Sequence, residues 1–238
     1  MTARAIMTAI LSNLQATREA IAQAAKAAHR NVAEVSLLAV SKTFPASAVR
    51  EAYSNGQTAF GESYLQEALA KIEVLRDLPL EWHFIGPIQS NKTRAIAESF
   101  AWVHGVDRLK IAERLSAQRP PHLPPLNICL QVNVSGEESK SGVAPEEVAH
   151  LAQEVVRLPR IKLRGLMTVP APAANEKEQR VPFAQMRVLL DKLNSQGMAL
   201  DTLSMGMSHD YPAAILEGAT IVRLGTAIFG GRDYGEHK

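Results

Sequence analysis

The sequence is almost free of cysteine: one, Cys129, occurs in 238 residues. No disulfide framework can form within the chain, which fits a reducing compartment. Cys129 lies in the apolar run 126–134 and reads as a buried thiol. Long hydrophobic runs are also missing; none approaches the roughly 18–20 uncharged residues of a membrane span. Nor is there an excess of one charge, with 26 Lys+Arg against 24 Asp+Glu and a formal net charge of +2. The basic residues are scattered rather than gathered in a dense tract, which argues against a dedicated nucleic-acid binder. Residues 5–11 are apolar behind Arg4, but they pass into Ser12, Asn13 and Gln15 without a small-residue cleavage pattern. They read as the start of an amphipathic helix rather than a signal peptide, and the expectation is a soluble, cytoplasmic protein.

Hydrophobic residues make up 46% of the chain and charged ones 21%, ordinary for a globular protein, and the length permits one large domain or two small ones. Ile6, Ile10, Leu14 and Ile21 recur at helical spacing and predict a leading helix over about 3–29. Short, nearly continuous apolar runs follow at 35–40, 57–60, 82–85, 102–106, 126–134, 163–167, 202–205 and 220–224. Runs apolar on both faces suit a parallel sheet covered by helices. Helical stripes lie between them, such as Leu65, Leu69, Ile72 and Leu75, or Phe183, Met186, Leu190 and Leu193. Ser90 and Asp107 are candidate caps, and Gly56, Gly197 and Gly218 are candidate helix ends. No G-x-G-x-x-G follows the first strand, so a dinucleotide fold loses its main support. Eight strands alternating with helices predict a single (β/α)8 TIM barrel over about 35–234 with an extra N-terminal helix, one domain across 1–238.

In such a barrel the chemistry sits at the C-terminal ends of the strands. Lys42 follows the first strand, so its amine is carried on a rigid buried element; desolvation lowers an amine's pKa, as a Schiff-base lysine needs. The alternative is a strand-end lysine reaching to solvent. Ser208 follows the seventh strand, and Gly225 and Thr226 follow the eighth, where barrels commonly hold a phosphate with backbone N–H groups and hydroxyls. Those glycines can equally serve tight turns alone. An amine and a phosphate site on one face together suggest a cofactor carrying both an aldehyde and a phosphate. Arg223 lies within the last apolar run and needs a partner. It can donate to a pyridine nitrogen and keep it unprotonated, which disfavours transaminase-type carbanion chemistry, or it can form a salt bridge with a nearby carboxylate. His83 and His104 lack metal-ligand spacing, so no metal site is expected. Glu62 can orient Lys42 or cap the following helix.

Seven blocks in order resemble the pyridoxal phosphate homeostasis protein family (the YggS/PROSC family). They are Leu38-Ala39-Val40-Ser41-Lys42-Thr43, Phe60-Gly61-Glu62-Ser63-Tyr64, the long stretch from Trp82 to Lys92, Ser139-Lys140-Ser141-Gly142, Arg164-Gly165-Leu166-Met167, Leu203-Ser204-Met205-Gly206-Met207-Ser208, and the stretch from Arg223 to Gly230. The resemblance implies a fold-type-III barrel similar to that of alanine racemase. It implies pyridoxal 5′-phosphate as an internal aldimine on Lys42, with the phosphate held by Ser208, Gly225 and Thr226, and Arg223 facing the ring nitrogen. It further implies a carrier and buffer of the cofactor, supporting vitamin B6 and amino-acid homeostasis, without robust catalysis. Pyridoxal-phosphate-dependent apoenzymes are the implied recipients, and a monomer is expected.

Two positions depart from the family. Ser63 stands where members usually carry Asn, so a contact near the cofactor is shorter or bridged by water, and His209 precedes Asp210 where acidic pairs are common. Lys140 is a candidate second amine for the cofactor in transit. An amino-acid racemase is the alternative, but its second acid–base group comes from a β-rich domain for which the barrel leaves no room, and Tyr53, Tyr64, Tyr211 and Tyr234 offer no evident replacement. A Schiff-base aldolase acting on a phosphorylated sugar shares the barrel, the lysine and the phosphate site.

Overall fold

The computed structural model describes residues 3–137 and 141–231. Its strands are β1 (Ser36–Val40), β2 (Ala59–Glu62), β3 (Glu81–Phe84), β4 (Trp102–Val106), β5 (Leu126–Gln131), β6 (Ile161–Met167), β7 (Thr202–Ser204) and β8 (Ile221–Leu224). They pair in sequence order, all parallel, and β8 closes on β1 with Leu38 opposite Arg223. The expected (β/α)8 barrel is therefore present, with the helices outside it. These are α1 (Ala3–Ala27), α2 (Ala46–Ser54), α3 (Leu65–Val74), α4 (Thr93–Ser99), α5 (Leu109–Gln118), α6 (Val148–Val155), α7 (Glu176–Ser195), α8 (Tyr211–Leu216) and α9 (Thr226–Phe229). Among the described residues no helix is long and apolar enough to cross a membrane.

Helix α1 is the predicted leading helix, and Ile10, Leu14 and Ile21 are buried along one stripe. The side chain of Ile6 lies outside the described set. The helix is fastened to the barrel by polar contacts as well: the Asn13 amide donates to Ile228 O at 3.1 Å, and Arg18 Nη1 to Asn55 O at 2.9 Å. Just beyond the helix, Arg30 Nη1 donates to Ile215 O and Ala219 O at 3.0 and 2.7 Å, satisfying carbonyls at the C-terminal end of α8.

Most strand boundaries lie within a residue of the periodicity; β6 starts two residues earlier than expected, at Ile161, and two others shift for visible reasons. The second strand starts at Ala59 rather than 57, because the Gln57 side chain is used as a plug: its amide donates to Leu37 O and Ala59 O at 2.9 and 2.8 Å. The fifth strand ends at Gln131 rather than 134, where Val132 turns to an isolated bridge with Val143. Neither Ser90 nor Asp107 caps a helix with its side chain. The Ser90 carbonyl instead accepts from Thr93 Oγ1, and Asp107 pairs with Arg108.

Strand alternation divides the core into two layers. The larger lies between sheet and helices, with Phe60, Ile96, Ile111, Leu115, Val155 and Phe183 buried in it. The smaller fills the barrel itself: Leu38, Trp102, Cys129, Met167 and Ile221. Cys129 is fully buried there, and burial pushes its thiol up to about 12. The thiolate is the reactive species. Native protein is therefore expected to resist iodoacetamide at pH 8 and to react only after unfolding, which intact mass spectrometry reads directly; rapid labelling of folded protein would contradict this packing.

Candidate functional site at the C-terminal mouth

The chain leaves β1 through residues 41–45. Leu38 faces the barrel interior and Ala39 the helix layer, and continued alternation brings half-buried Lys42 to the inner side of the mouth. Both of its neighbours are held. Ser41 Oγ donates to Glu62 Oε1 at 2.6 Å, and Lys71 Nζ donates to Ser41 O, Glu62 Oε1 and Glu67 Oε1 at 2.7, 2.8 and 2.5 Å. The Thr43 N–H donates to Glu67 Oε1 at 2.6 Å. Thr43 is at φ 70°, a conformation a β-branched residue adopts only when its surroundings impose it. Phe44 packs on Phe229 with ring centroids 5.0 Å apart, which joins this loop to α9.

Glu62 therefore does not cap α3: it anchors Ser41, the residue before Lys42. Burial pushes its carboxyl up, opposed by Lys71 and Ser41. Lys71 and Glu67 were not anticipated. The available signal was Lys71 itself, three residues after Ala68 and four before Leu75, both buried, a position where a helix facing the sheet calls for an apolar residue.

Arg223 faces the same mouth from β8. Its Nη1 donates to Ser204 O at 2.6 Å and Ser204 Oγ at 2.8 Å, and Nη2 donates to Thr168 O at 2.8 Å. The salt bridge considered for it is absent: among the described residues its acceptors are two carbonyls and a hydroxyl, not a carboxylate. Burial lowers its pKa to about 10, opposed by Asp210, so the group is cationic at neutral pH. Three of its five N–H groups are used within the protein, which leaves two for a ligand.

Past β7 and β8, Ser208 Oγ and Thr226 Oγ1 stand 3.2 Å apart at the surface. The Met207 N–H donates to Asp210 Oδ1 at 2.6 Å, fixing the turn that carries Ser208. Gly225 has a reason beyond ligand approach: a Cβ there would lie 2.8 Å from Val40 O, so the ends of β8 and β1 meet only because the side chain is missing. That contact and the Phe44–Phe229 pair bring the Lys42 loop against Gly225 and Thr226. Ser63 shares the mouth at the end of β2, half-buried, without a hydrogen bond to these groups. His209 is exposed. Lys140 and Tyr234 lie outside the described residues. An amine, a buried cationic donor with N–H groups to spare and a pair of hydroxyls on one mouth fit a ligand with an aldehyde, a ring acceptor and a phosphate.

This barrel and its site define the class of the alanine racemase N-terminal domain, a family that matches residues 12–233. The chain belongs to the pyridoxal phosphate homeostasis protein family. It is 63% identical over 229 residues to the Pseudomonas aeruginosa member, covering 96% of this chain and 98% of that protein. It is 52% identical over 231 residues to the Escherichia coli member, covering 96% and 99%. A structure of PipY from Synechococcus elongatus with PLP bound superposes with a TM-score of 0.81 at 38% identity, over 93% of this chain and 100% of that one. Alanine racemase from Corynebacterium glutamicum matches with a TM-score of 0.69 at 19% identity, over 98% of this chain and 63% of the enzyme, a likeness of fold alone.

Proposed function

We propose that this chain binds pyridoxal 5′-phosphate at the C-terminal mouth and carries and buffers it for enzymes that require it, as one unit over 1–238, without robust catalysis of its own. The observation that carries this reading is the convergence on one mouth of Lys42, Arg223 and the Ser208–Thr226 hydroxyl pair. Bound cofactor supplies an aldehyde for condensation with an amine and an aromatic ring that can accept electrons. Lys42 would supply the amine for that condensation. Arg223 donates to the ring nitrogen and, as a cation that keeps its proton, holds that nitrogen unprotonated and the ring a weak electron sink. Ser208, Thr226 and the backbone at Gly225 hold the phosphate, and Ser63 adds a short hydroxyl at the rim. We further read the protein as a cytoplasmic monomer whose recipients are pyridoxal-phosphate-dependent apoenzymes. Family membership and the PLP-bound PipY structure support this assignment.

The test is reconstitution. Protein mixed with pyridoxal phosphate is expected to turn yellow, and borohydride is expected to fix one cofactor per chain on the peptide containing Lys42. A colourless product without label sinks the reading. Incubation of loaded protein with amino acids in deuterated water is expected to give no α-proton exchange, whereas exchange would favour a racemase.

A further inference from the structure

A TIM-barrel interior is ordinarily filled by layers of bulky branched side chains. Here a line of polar side chains crosses the interior. His83 on β3, His104 on β4, Ser204 on β7 and Arg223 on β8 are all buried, and they are bonded to one another in a line. Arg223 Nη1 lies 2.8 Å from Ser204 Oγ, and Ser204 Oγ lies 2.7 Å from His104 Nδ1. His104 Nε2 lies 2.9 Å from His83 Nδ1, and His83 Nε2 lies 2.9 Å from Glu81 Oε1. Glu81 opens β3 and is half-exposed. It borders a cavity of about 510 Å³ at the N-terminal mouth, where Arg18, Gln57, Trp102 and Ile221 also line the wall. The line thus runs the depth of the barrel, from the arginine at one mouth to a carboxylate at the other.

With both imidazoles neutral, as their burial favours, the carboxylate end fixes its direction. A guanidinium only donates and an ionised carboxylate only accepts. Ser204 Oγ then accepts from Arg223 and passes its single hydrogen to His104 Nδ1. His104 is then protonated at Nε2 alone, His83 Nδ1 accepts from it, and His83 Nε2–H donates to Glu81. No other assignment of two neutral imidazoles satisfies every link, and an imidazolium at His83 would require His104 to turn to its Nδ1–H tautomer. Burial lowers the pKa of both imidazoles, and His104 is further lowered by His83 and Arg223. His83 is also held in place by stacking on Trp102, with centroids 5.3 Å apart and planes 4° apart.

The geometry points to Ser204, His104, His83 and Glu81 as positioning residues for Arg223: a one-directional hydrogen-bond chain that fixes the ring-nitrogen donor from the opposite mouth of the barrel. Ser204 holds Nη1 through both its carbonyl and its hydroxyl, and the hydroxyl's hydrogen is directed away from Arg223 while His104 Nδ1 takes it. That condition is passed from link to link as far as Glu81. This assignment rests on the proposal that Arg223 faces the ring nitrogen of pyridoxal phosphate.

Nitrogen-15 NMR of the cofactor-free protein is expected to show His83 and His104 as neutral Nε2–H tautomers at pH 7. In the loaded protein, Ser204→Ala removes one charge-assisted bond to Arg223 and is expected to release pyridoxal phosphate about tenfold faster, with a displaced visible absorption maximum. Glu81→Ala, at the far mouth, is expected to mix the His83 tautomers and displace the absorption maximum in the same direction. Glu81→Gln, whose amide oxygen still accepts, is expected to restore it. A role in packing alone would leave the cofactor spectrum of Glu81→Ala unchanged, and that result overturns the inference, as does an Nδ1–H tautomer or an imidazolium at either position. Failure of the unmodified protein to take up pyridoxal phosphate would instead overturn the proposed function, and the tautomers of the cofactor-free protein tell the two failures apart.

Discussion

Lys42→Ala is expected to lose pyridoxal phosphate on the order of a hundredfold faster than the unmodified protein while remaining folded. A carbon–nitrogen bond to the amine contributes to retention in a way that no hydroxyl or guanidinium contact replaces. In the proposed site the remaining contacts would be non-covalent, Arg223 at the ring and the Ser208–Thr226 pair at the phosphate, and ligands held by such contacts alone leave faster. Stability should change little, because Lys42 is half-buried and lies just beyond the last residue of β1, outside the ladder. Gel filtration of loaded protein, with absorbance followed at 280 nm and in the visible, separates the outcomes. Co-elution of cofactor with the variant at the unmodified level, or borohydride label recovered at full yield on another lysine, would remove Lys42 from the centre of the site. Lys42→Arg is the control for charge: its guanidinium cannot condense with an aldehyde, so it should fail as Lys42→Ala does.

The barrel was legible because its strands are apolar on both faces and its helices are not, so the change of period marks nearly every element. It was least legible where a side chain does the work of backbone. Gln57 looks like strand by neighbourhood, but its amide satisfies Leu37 O and Ala59 O and delays β2 by two residues. The positions of Lys42, Ser208, Gly225 and Thr226 could be read from strand order alone, since the C-terminal face of a barrel is set by topology. The partners of those residues could not. For Arg223 the sequence leaves a choice between a ligand and a carboxylate, and its acceptors in the protein are Ser204 on β7 and Thr168 just past β6. Sequence separation hides such pairs. His83 and His104 are 21 residues apart and lack metal-ligand spacing, yet adjacent strands put their rings in contact inside the barrel. Gly225 can be read from the sequence as room for a phosphate or as a tight turn; that its Cβ would strike Val40 O is a further requirement, of barrel closure, that no local pattern reveals.

Lys71→Met is expected to destabilise the protein by about 3–5 kcal/mol at neutral pH, the usual cost of leaving a buried charge without its partner. Glu62 is fully buried, and its Oε2 already has no hydrogen bond. The three donors of Lys71 go to Ser41 O, Glu62 Oε1 and Glu67 Oε1; with methionine in place, Glu62 keeps only the Ser41 hydroxyl. Burial already holds the Glu62 carboxyl above its ordinary 4.5, and Lys71 opposes that shift, so removing Lys71 raises it further. A carboxyl whose pKa is raised by folding stabilises the fold below its unfolded value, and that contribution is lost as pH rises through the folded value. The cost of Lys71→Met should accordingly be small near pH 4.5 and grow toward pH 7.5. Urea unfolding of both proteins at the two pH values gives the comparison, and other titrating groups cancel in the difference. Adding Glu62→Met removes the stranded charge and should recover most of the loss at pH 7.5. An equal loss at both pH values, or no recovery in the double variant, would mean that packing rather than charge holds this corner. The same variant bears on the cofactor site, because the three acceptors of Lys71 are also what holds Ser41 and Thr43 on either side of Lys42. With the clamp gone, Thr43 has less reason to keep φ 70°, and the Lys42 amine loses its fixed bearing on the mouth. Double-variant protein that is stable again but still slow to take up pyridoxal phosphate would separate these two roles of one buried lysine.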